Sequence, residues 1–209
     1  MQAAKPPASP RKNMGYSTEL EAPLDYSFYG MTSVNEVQEN DARLGVKGNP
    51  ILPKKSSPSA KQKLSKSKCF KLNNNCLPQV SELKVVAEQL FEDCDNIAWI
   101  DLSFNELTKV DDILLHFPNL QILYLHGNQF TDMGEIEKLA KISSLKKLSL
   151  HGNPIENDKG YKYMVMAMLP QLDTLDFSRI TKADRRTAAT LQGMNKNNRK
   201  GKRKVKKED

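Results

Sequence analysis

Long apolar runs are missing from this chain. No stretch approaches the roughly 18–20 apolar residues that a membrane-spanning helix needs, and mean hydropathy is −0.60. The first residues hold no apolar stretch of the kind a secretory signal requires, so no secretory route is expected. Cysteine is scarce. Cys69, Cys76 and Cys94 are odd in number and form no C-x-x-C pair, which argues against a disulfide framework and for a reduced, cytoplasmic setting with free, buried thiols. There are only three histidines. No P-loop, dinucleotide-binding glycine motif or nucleophile elbow is present, so catalysis has no visible machinery. No cofactor is implied.

What is present is repetition. Residues 97–107, 120–130 and 145–155 each read L-x-x-L-x-L-x-x-N-x-L with conservative exchanges. Asn105, Asn128 and Asn153 recur 23 and then 25 residues apart. That spacing lies within the roughly 20–29 residue period of a leucine-rich repeat, where each unit supplies one strand to a parallel concave sheet. Weaker copies flank the three. Phe70–Leu77 fits the second half of the template, with Ser67 at the first Leu position. Leu172–Phe177 fits the first half, with Ile180 in the Asn slot. The pattern therefore predicts an α/β solenoid of about five repeats over 67–180, with helical caps at its N- and C-terminal ends.

Strands are expected at 99–103, 122–126 and 147–151. Alternation turns Ile100, Leu102, Leu123, Leu125, Leu148 and Leu150 inward. The Asn amides are expected to satisfy backbone groups left unpaired where each repeat turns. On the convex side, Leu83, Val86, Ala87, Leu90 and Phe91 mark a helix within 81–94 by their spacing. Shorter helical turns are expected at 108–117 and 135–142. A helix over 158–169 buries Tyr161, Val165, Met168 and Leu169 before Pro170 stops it.

Charge is unevenly distributed. Residues 69–180 hold 10 Lys/Arg against 16 Asp/Glu, and residues 181–209 hold 11 against 3. The repeats are acidic and the basic pI comes from the arms. Residues 1–66 read as a largely disordered arm, rich in Pro, Ser and Lys. One island, residues 23–30, holds Tyr26, Phe28 and Tyr29 beside Leu24 and is expected to dock, either on the repeats or on a partner. Residues 67–193 form the repeat domain. Residues 194–209 read as a basic disordered tail, with Lys196, Arg199, Lys200, Lys202, Arg203, Lys204, Lys206 and Lys207 as candidate polyanion contacts, or as a solvated end without a dedicated partner.

The outward columns of the sheet hold the candidate binding site: Trp99, Asp101, Ile122, Tyr124, His126, Ser149, His151 and Asp176. Trp and Tyr are favoured interface anchors, and a large exposed apolar patch marks an interface. The alternatives are that residues 26–29 cover the patch in cis and that Trp99 packs on its strand neighbours. Stacked His126 and His151 would supply only half of the ligands of a metal site. With Ser103 and Ser178 expected beside them, no third ligand follows, and no metal is expected.

The stretches Tyr161–Val165, Leu169–Asp176 and Ile180–Arg185 resemble the cap of the phosphatase-regulator-like class of leucine-rich repeat proteins. Where that class carries Gly after Leu-Asp, this chain has Phe177, and its usual Glu-Arg is Asp184-Arg185. Together with Pro23–Phe28, Leu72–Asn75, Ala98–Asn105, Leu123–Asn128 and Leu150–Pro154, these stretches resemble one small family within the class over roughly 22–195. The resemblance implies a non-enzymatic cytoplasmic protein, and its relatives imply a ciliary or axonemal setting. The expected function is a scaffold for a protein partner on the concave face. The alternative is a ribonucleoprotein component held on nucleic acid by the basic tail.

Overall fold

A computed structural model describes residues 21–43 and 64–205, the backbone alone from 194 onward. Seven short strands follow one another in one sheet, in sequence order: β1 (Leu24–Asp25), β2 (Cys69–Lys71), β3 (Trp99–Asp101), β4 (Ile122–Tyr124), β5 (Lys147–Ser149), β6 (Thr174–Leu175) and β7 (Ser178–Arg179). Pairing is parallel from β1 to β6 and antiparallel between β6 and β7. Register aligns Phe70, Ile100, Leu123, Leu148 and Leu175 in one row. All five are buried, as the alternation predicts. The strands are shorter than the sequence indicates, yet backbone pairing runs on past them, with Leu102 N–H donating to Tyr124 O and Phe104 N–H to His126 O.

The Asn slots explain why the repeats stack. Asn128 Nδ2 donates to Leu102 O at 3.0 Å and to Leu125 O at 2.9 Å, while its Oδ1 accepts from Leu107 N–H. Asn105 does the same one repeat earlier and Asn153 one repeat later. Asn75 heads the series, reaching Tyr26 O and Leu72 O and accepting from Tyr29 N–H and Met31 N–H. Each shared carbonyl therefore receives two amide donors from successive repeats, and buried backbone that bends away from the sheet stays satisfied.

On the convex side lie α1 (Leu83–Leu90), α2 (Met133–Glu137), α3 (Tyr161–Met168) and 3₁₀ turns at Asp112–His116 and Lys138–Lys141. The apolar face predicted for 81–94 is buried throughout. In α3 the sequence assigns Met168 to the core, whereas Met166 is the buried methionine and Met168 is half-buried against it. Cys69, Cys76 and Cys94 are free thiols. Only Cys69 is buried, and burial pushes its thiol up to about 12.

Two expectations about the arms need correction. Residues 24–43 are part of the fold. Leu24, Tyr26, Met31, Val34 and Val37 are buried in the same core as Phe70 and Leu77, and the Tyr26 ring meets Phe70 edge-on at 6.2 Å. The island docks in cis as β1. The N-terminal cap is thus a strand and a 3₁₀ turn (Val34–Gln38) rather than a helix, started by a capping box between Ser33 and Glu36. Residues 1–20 and 44–63 lie outside the described part.

At the other end, α4 (Lys182–Val205) packs on α3, with Ala188 buried. Thr181 and Asp184 cap it reciprocally, and Arg185 donates to the carbonyls of Met166, Leu169 and Leu172 at the end of α3. The helical backbone continues past 194, where the sequence reading places a disordered tail. Helix formers dominate the segment after Lys182, and a helix started by a cap propagates at low cost.

The aromatic floor of the concave sheet

Three outward columns cross the sheet, and the structure sorts their residues into two kinds. Trp99, Ile122, Tyr124, His126 and His151 are half-buried and reach the concave surface. Asp101 and Ser149 do not present themselves as expected. Ser149 is fully buried, its Oγ 2.8 Å from His126 Nδ1. Asp101 is 8% exposed, and its Oδ1 accepts from Ser103 N–H and Ser103 Oγ–H. Both lie beneath the surface; Ser149 holds the His126 ring and Asp101 holds the Ser103 turn. Close packing of large rings over small polar residues is the physical reason.

Asp176 also departs from its column. Asp176 and Phe177 have φ of +48° and +60° and form a two-residue turn between β6 and β7. The chain reverses there, as a hairpin with two positive-φ residues does. The Asp176 carboxylate swings under the sheet end, accepting from Leu150 N–H, His151 N–H and Tyr161 O–H. It closes the donors that a further repeat would have met, and raises the Tyr161 hydroxyl well above its ordinary value together with burial, the larger cause. Ser178, expected beside His151, pairs instead with the inward Leu175.

Phe177 takes the vacated place. Its ring lies 5.3 Å from Tyr124, 5.7 Å from His126 and 5.6 Å from His151, centroid to centroid. Tyr124 meets Trp99 edge-on at 5.5 Å. His126 and His151 stack at 4.6 Å with planes 10° apart. Phe104 closes the far side, 5.1 Å from His126. Burial, then the neighbouring His151, holds the His126 imidazole below its usual value, so the neutral ring dominates. Lys71 Nζ sits 5.5 Å from the Trp99 ring.

Sequence reasoning did not assign Phe104 and Phe177 to the site. They are 52% and 59% exposed. Phe104 occupies the slot that Gly127 and Gly152 fill in the next repeats, and it shares their positive φ, at +53°. Its ring lies over Gly127, where a Cβ would come within 2.6 Å of it. The signal was a bulky residue at the position that Gly127 and Gly152 hold, which Phe28 also shares in the first repeat. The alternative of cover by residues 26–29 is not met at this patch: Tyr26 is in the core, and Phe28 and Tyr29 stack with Arg43 at the β1 edge.

Among the described residues, no three His, Cys, Asp or Glu side chains converge as a metal site, and no helix is long and apolar enough to cross a membrane. The basic side chains from Lys196 to Lys207 lie outside the described residues.

A leucine-rich repeat family profile matches residues 94–207. The chain belongs to the leucine-rich repeat family. Its relatives include leucine-rich repeat-containing protein 51 of Homo sapiens, 45% identical over 175 residues that span 84% of this chain and 87% of that protein. The Rattus norvegicus protein of the same name is 44% identical over 187 residues, 90% of this chain and 93% of the relative. Among solved structures, the Drosophila melanogaster SNF/U2A′ complex matches with 26% identity over 57% of this chain and 79% of that one, at a TM-score of 0.45. Leucine-rich repeat proteins are typically non-enzymatic interaction modules.

Proposed function

We propose that this leucine-rich repeat chain is a non-enzymatic scaffold that captures a segment of a protein partner on the aromatic floor of its concave sheet. One observation carries the reading. Trp99, Tyr124, His126, His151, Phe104 and Phe177 form a continuous chain of ring contacts, yet the two phenylalanines remain more than half exposed. Clustered exposed rings are costly in water and typical of interface anchors. Rings already braced edge-to-face lose little freedom when a partner arrives.

In this proposal the setting is a ciliary or axonemal assembly, a reading supported by the resemblance to the phosphatase-regulator-like class. The basic residues from Lys196 to Lys207 then add electrostatic attachment to an acidic surface. The test is capture in ciliated cells by the intact chain, by the Trp99→Ala/Tyr124→Ala double variant and by a chain ending at Gln192. Loss of one discrete set of proteins in the double variant alone supports the concave site. If only the truncation matters and the captured material is nuclease-sensitive, attachment to nucleic acid replaces this reading.

A further inference from the structure

A carboxylate stands at each side of the floor, with Lys71 in register beside Asp101 on the Trp99 side, and this arrangement says what the floor grips. Asp101 stands in register with Tyr124 at one side of the ring cluster. At the other side Asp176 lies under the His151 end, 3.5 Å from Nδ1 with its side chain 6% exposed. Asp101 accepts from Ser103 in its own repeat, Asp176 accepts from Leu150 N–H and His151 N–H one repeat earlier and from Tyr161 O–H, and both are shielded from solvent. Buried charges are screened less than exposed ones. Between them lie the Tyr124, His126, Phe177 and Phe104 rings, whose faces carry negative quadrupole density. At the His151 end the Asp176 carboxylate disfavours an anionic group. A purely apolar group would remove the remaining water from two carboxylates and give nothing back.

The backbone supports a built site. Phe104 and Phe177 are both at positive φ, a conformation that favours glycine over a bulky residue. Glycine would meet that preference at either position and would also remove the exposed apolar surface. Phe28, at the same slot of the first repeat, shares the positive φ and the exposure, but only Phe104 and Phe177 bring their rings beside His126. The chain also shows this surface accepting a cation, because Lys71 Nζ rests on the neighbouring Trp99 ring.

We infer that the space bounded by Phe104, Tyr124, His126 and Phe177 receives an arginine side chain from the partner, its guanidinium stacked on the rings and drawn by Asp101 and Asp176. Arginine fits better than lysine because a guanidinium is planar, weakly hydrated and stacks on aromatic faces, whereas an ammonium is a strongly hydrated point charge. This deepens the proposed function and rests on the concave face being the binding face.

The probe is the tripeptide acetyl-Gly-Arg-Gly-amide, titrated into the full chain while ring resonances of Phe104, Tyr124, His126 and Phe177 are followed by NMR. Acetyl-Gly-citrulline-Gly-amide, the neutral shape analogue, is the control. The expected result is a saturable shift at these rings with arginine and at least tenfold weaker binding with citrulline. The Phe104→Gly/Phe177→Gly variant, which relieves strain and so retains the fold, loses the response, and Asp101→Asn weakens it. Equal binding of citrulline, shifts confined to exposed acidic residues on the convex side, or an unchanged response in the double glycine variant would each overturn the arginine assignment. If the Trp99→Ala/Tyr124→Ala capture test succeeds while this titration fails, the concave site stands and only the arginine falls.

Discussion

Removing the Asn128 amide tests how the solenoid is held together. Asn128→Ala deletes the bonds to Leu107 N–H, Leu102 O and Leu125 O together with a longer one to His126 O. Leu107 N–H loses its acceptor and is left buried without a partner, at about 1–3 kcal/mol. The carbonyls of Leu102 and Leu125 each lose one amide donor but keep another, from Asn105 and Asn153 respectively. At about 0.5–1 kcal/mol for each of these partly compensated losses, the sum is roughly 2–5 kcal/mol. Against a typical domain stability of about 5–15 kcal/mol, that is a large share. Urea unfolding of the full chain followed by far-ultraviolet circular dichroism measures it, with Asn128→Asp as companion. The aspartate keeps the acceptor for Leu107 N–H but turns oxygens toward two carbonyls, so at neutral pH it should destabilise at least as much as alanine. A loss below about 1 kcal/mol for Asn128→Ala would show that the ladder is not what binds one repeat to the next.

Four further outcomes follow from the same geometry. Tyr26→Ala should cost about 3–5 kcal/mol in denaturant unfolding, as for other buried aromatics, because its ring is packed on Phe70 in the shared core; a loss under about 1 kcal/mol would mean the N-terminal segment is an appendage. Gly127→Ala places a Cβ against the Phe104 ring at φ +67°, so it should destabilise by about 1–3 kcal/mol, and less so in a Phe104→Gly background; strict additivity in that double-mutant cycle would refute the contact. Phe177→Gly should weaken partner capture and cost less thermal stability than Phe177→Ala, because both lose the ring contacts and only glycine relieves the positive φ; equal stability of the two variants would contradict the strain argument. His126 titrates at lower pH folded than the ordinary value of about 6.5. Its folded state therefore binds fewer protons than the unfolded chain as pH falls below that value, and stability present above about pH 6.5 is lost through the folded titration. The wild type should lose more stability between neutral and mildly acidic pH than His126→Gln, and identical pH slopes would refute it.

The fold was legible where period and chemistry coincide. Asn105, Asn128 and Asn153 announce the ladder, the inward leucines follow from alternation, and the α1 face follows from helical spacing. Two features were hidden for physical reasons. Thr174–Phe177 keeps the strand alternation of the earlier repeats, and nothing in composition distinguishes a strand that continues from one that reverses at two positive-φ residues. That reversal moved Asp176 and Ser178 off their expected places and brought Phe177 onto the floor. The N-terminal cap was obscured because one short strand and one 3₁₀ turn have no period to detect. Two signals were available: Leu24-Asp25-Tyr26-Ser27 matches Ile100-Asp101-Leu102-Ser103, and both Asp-x-Ser units make the same pair of hydrogen bonds; and Ser33 with Glu36 has capping-box spacing. Burial of Ser149 and Asp101 beneath the rings was likewise invisible, since alternation gives the face of the sheet but not what covers it.

The central claim, that a protein partner sits on the aromatic floor, is tested most directly by photocrosslinking in ciliated cells. A photoreactive phenylalanine analogue replaces Phe177 in one full-length chain and Val85, exposed on the convex helix α1, in another. The account predicts a discrete protein adduct from position 177 that is lost in the Trp99→Ala/Tyr124→Ala background, and no such adduct from position 85. An adduct from position 85 alone, with none from position 177, would place the partner on the opposite face and contradict the account.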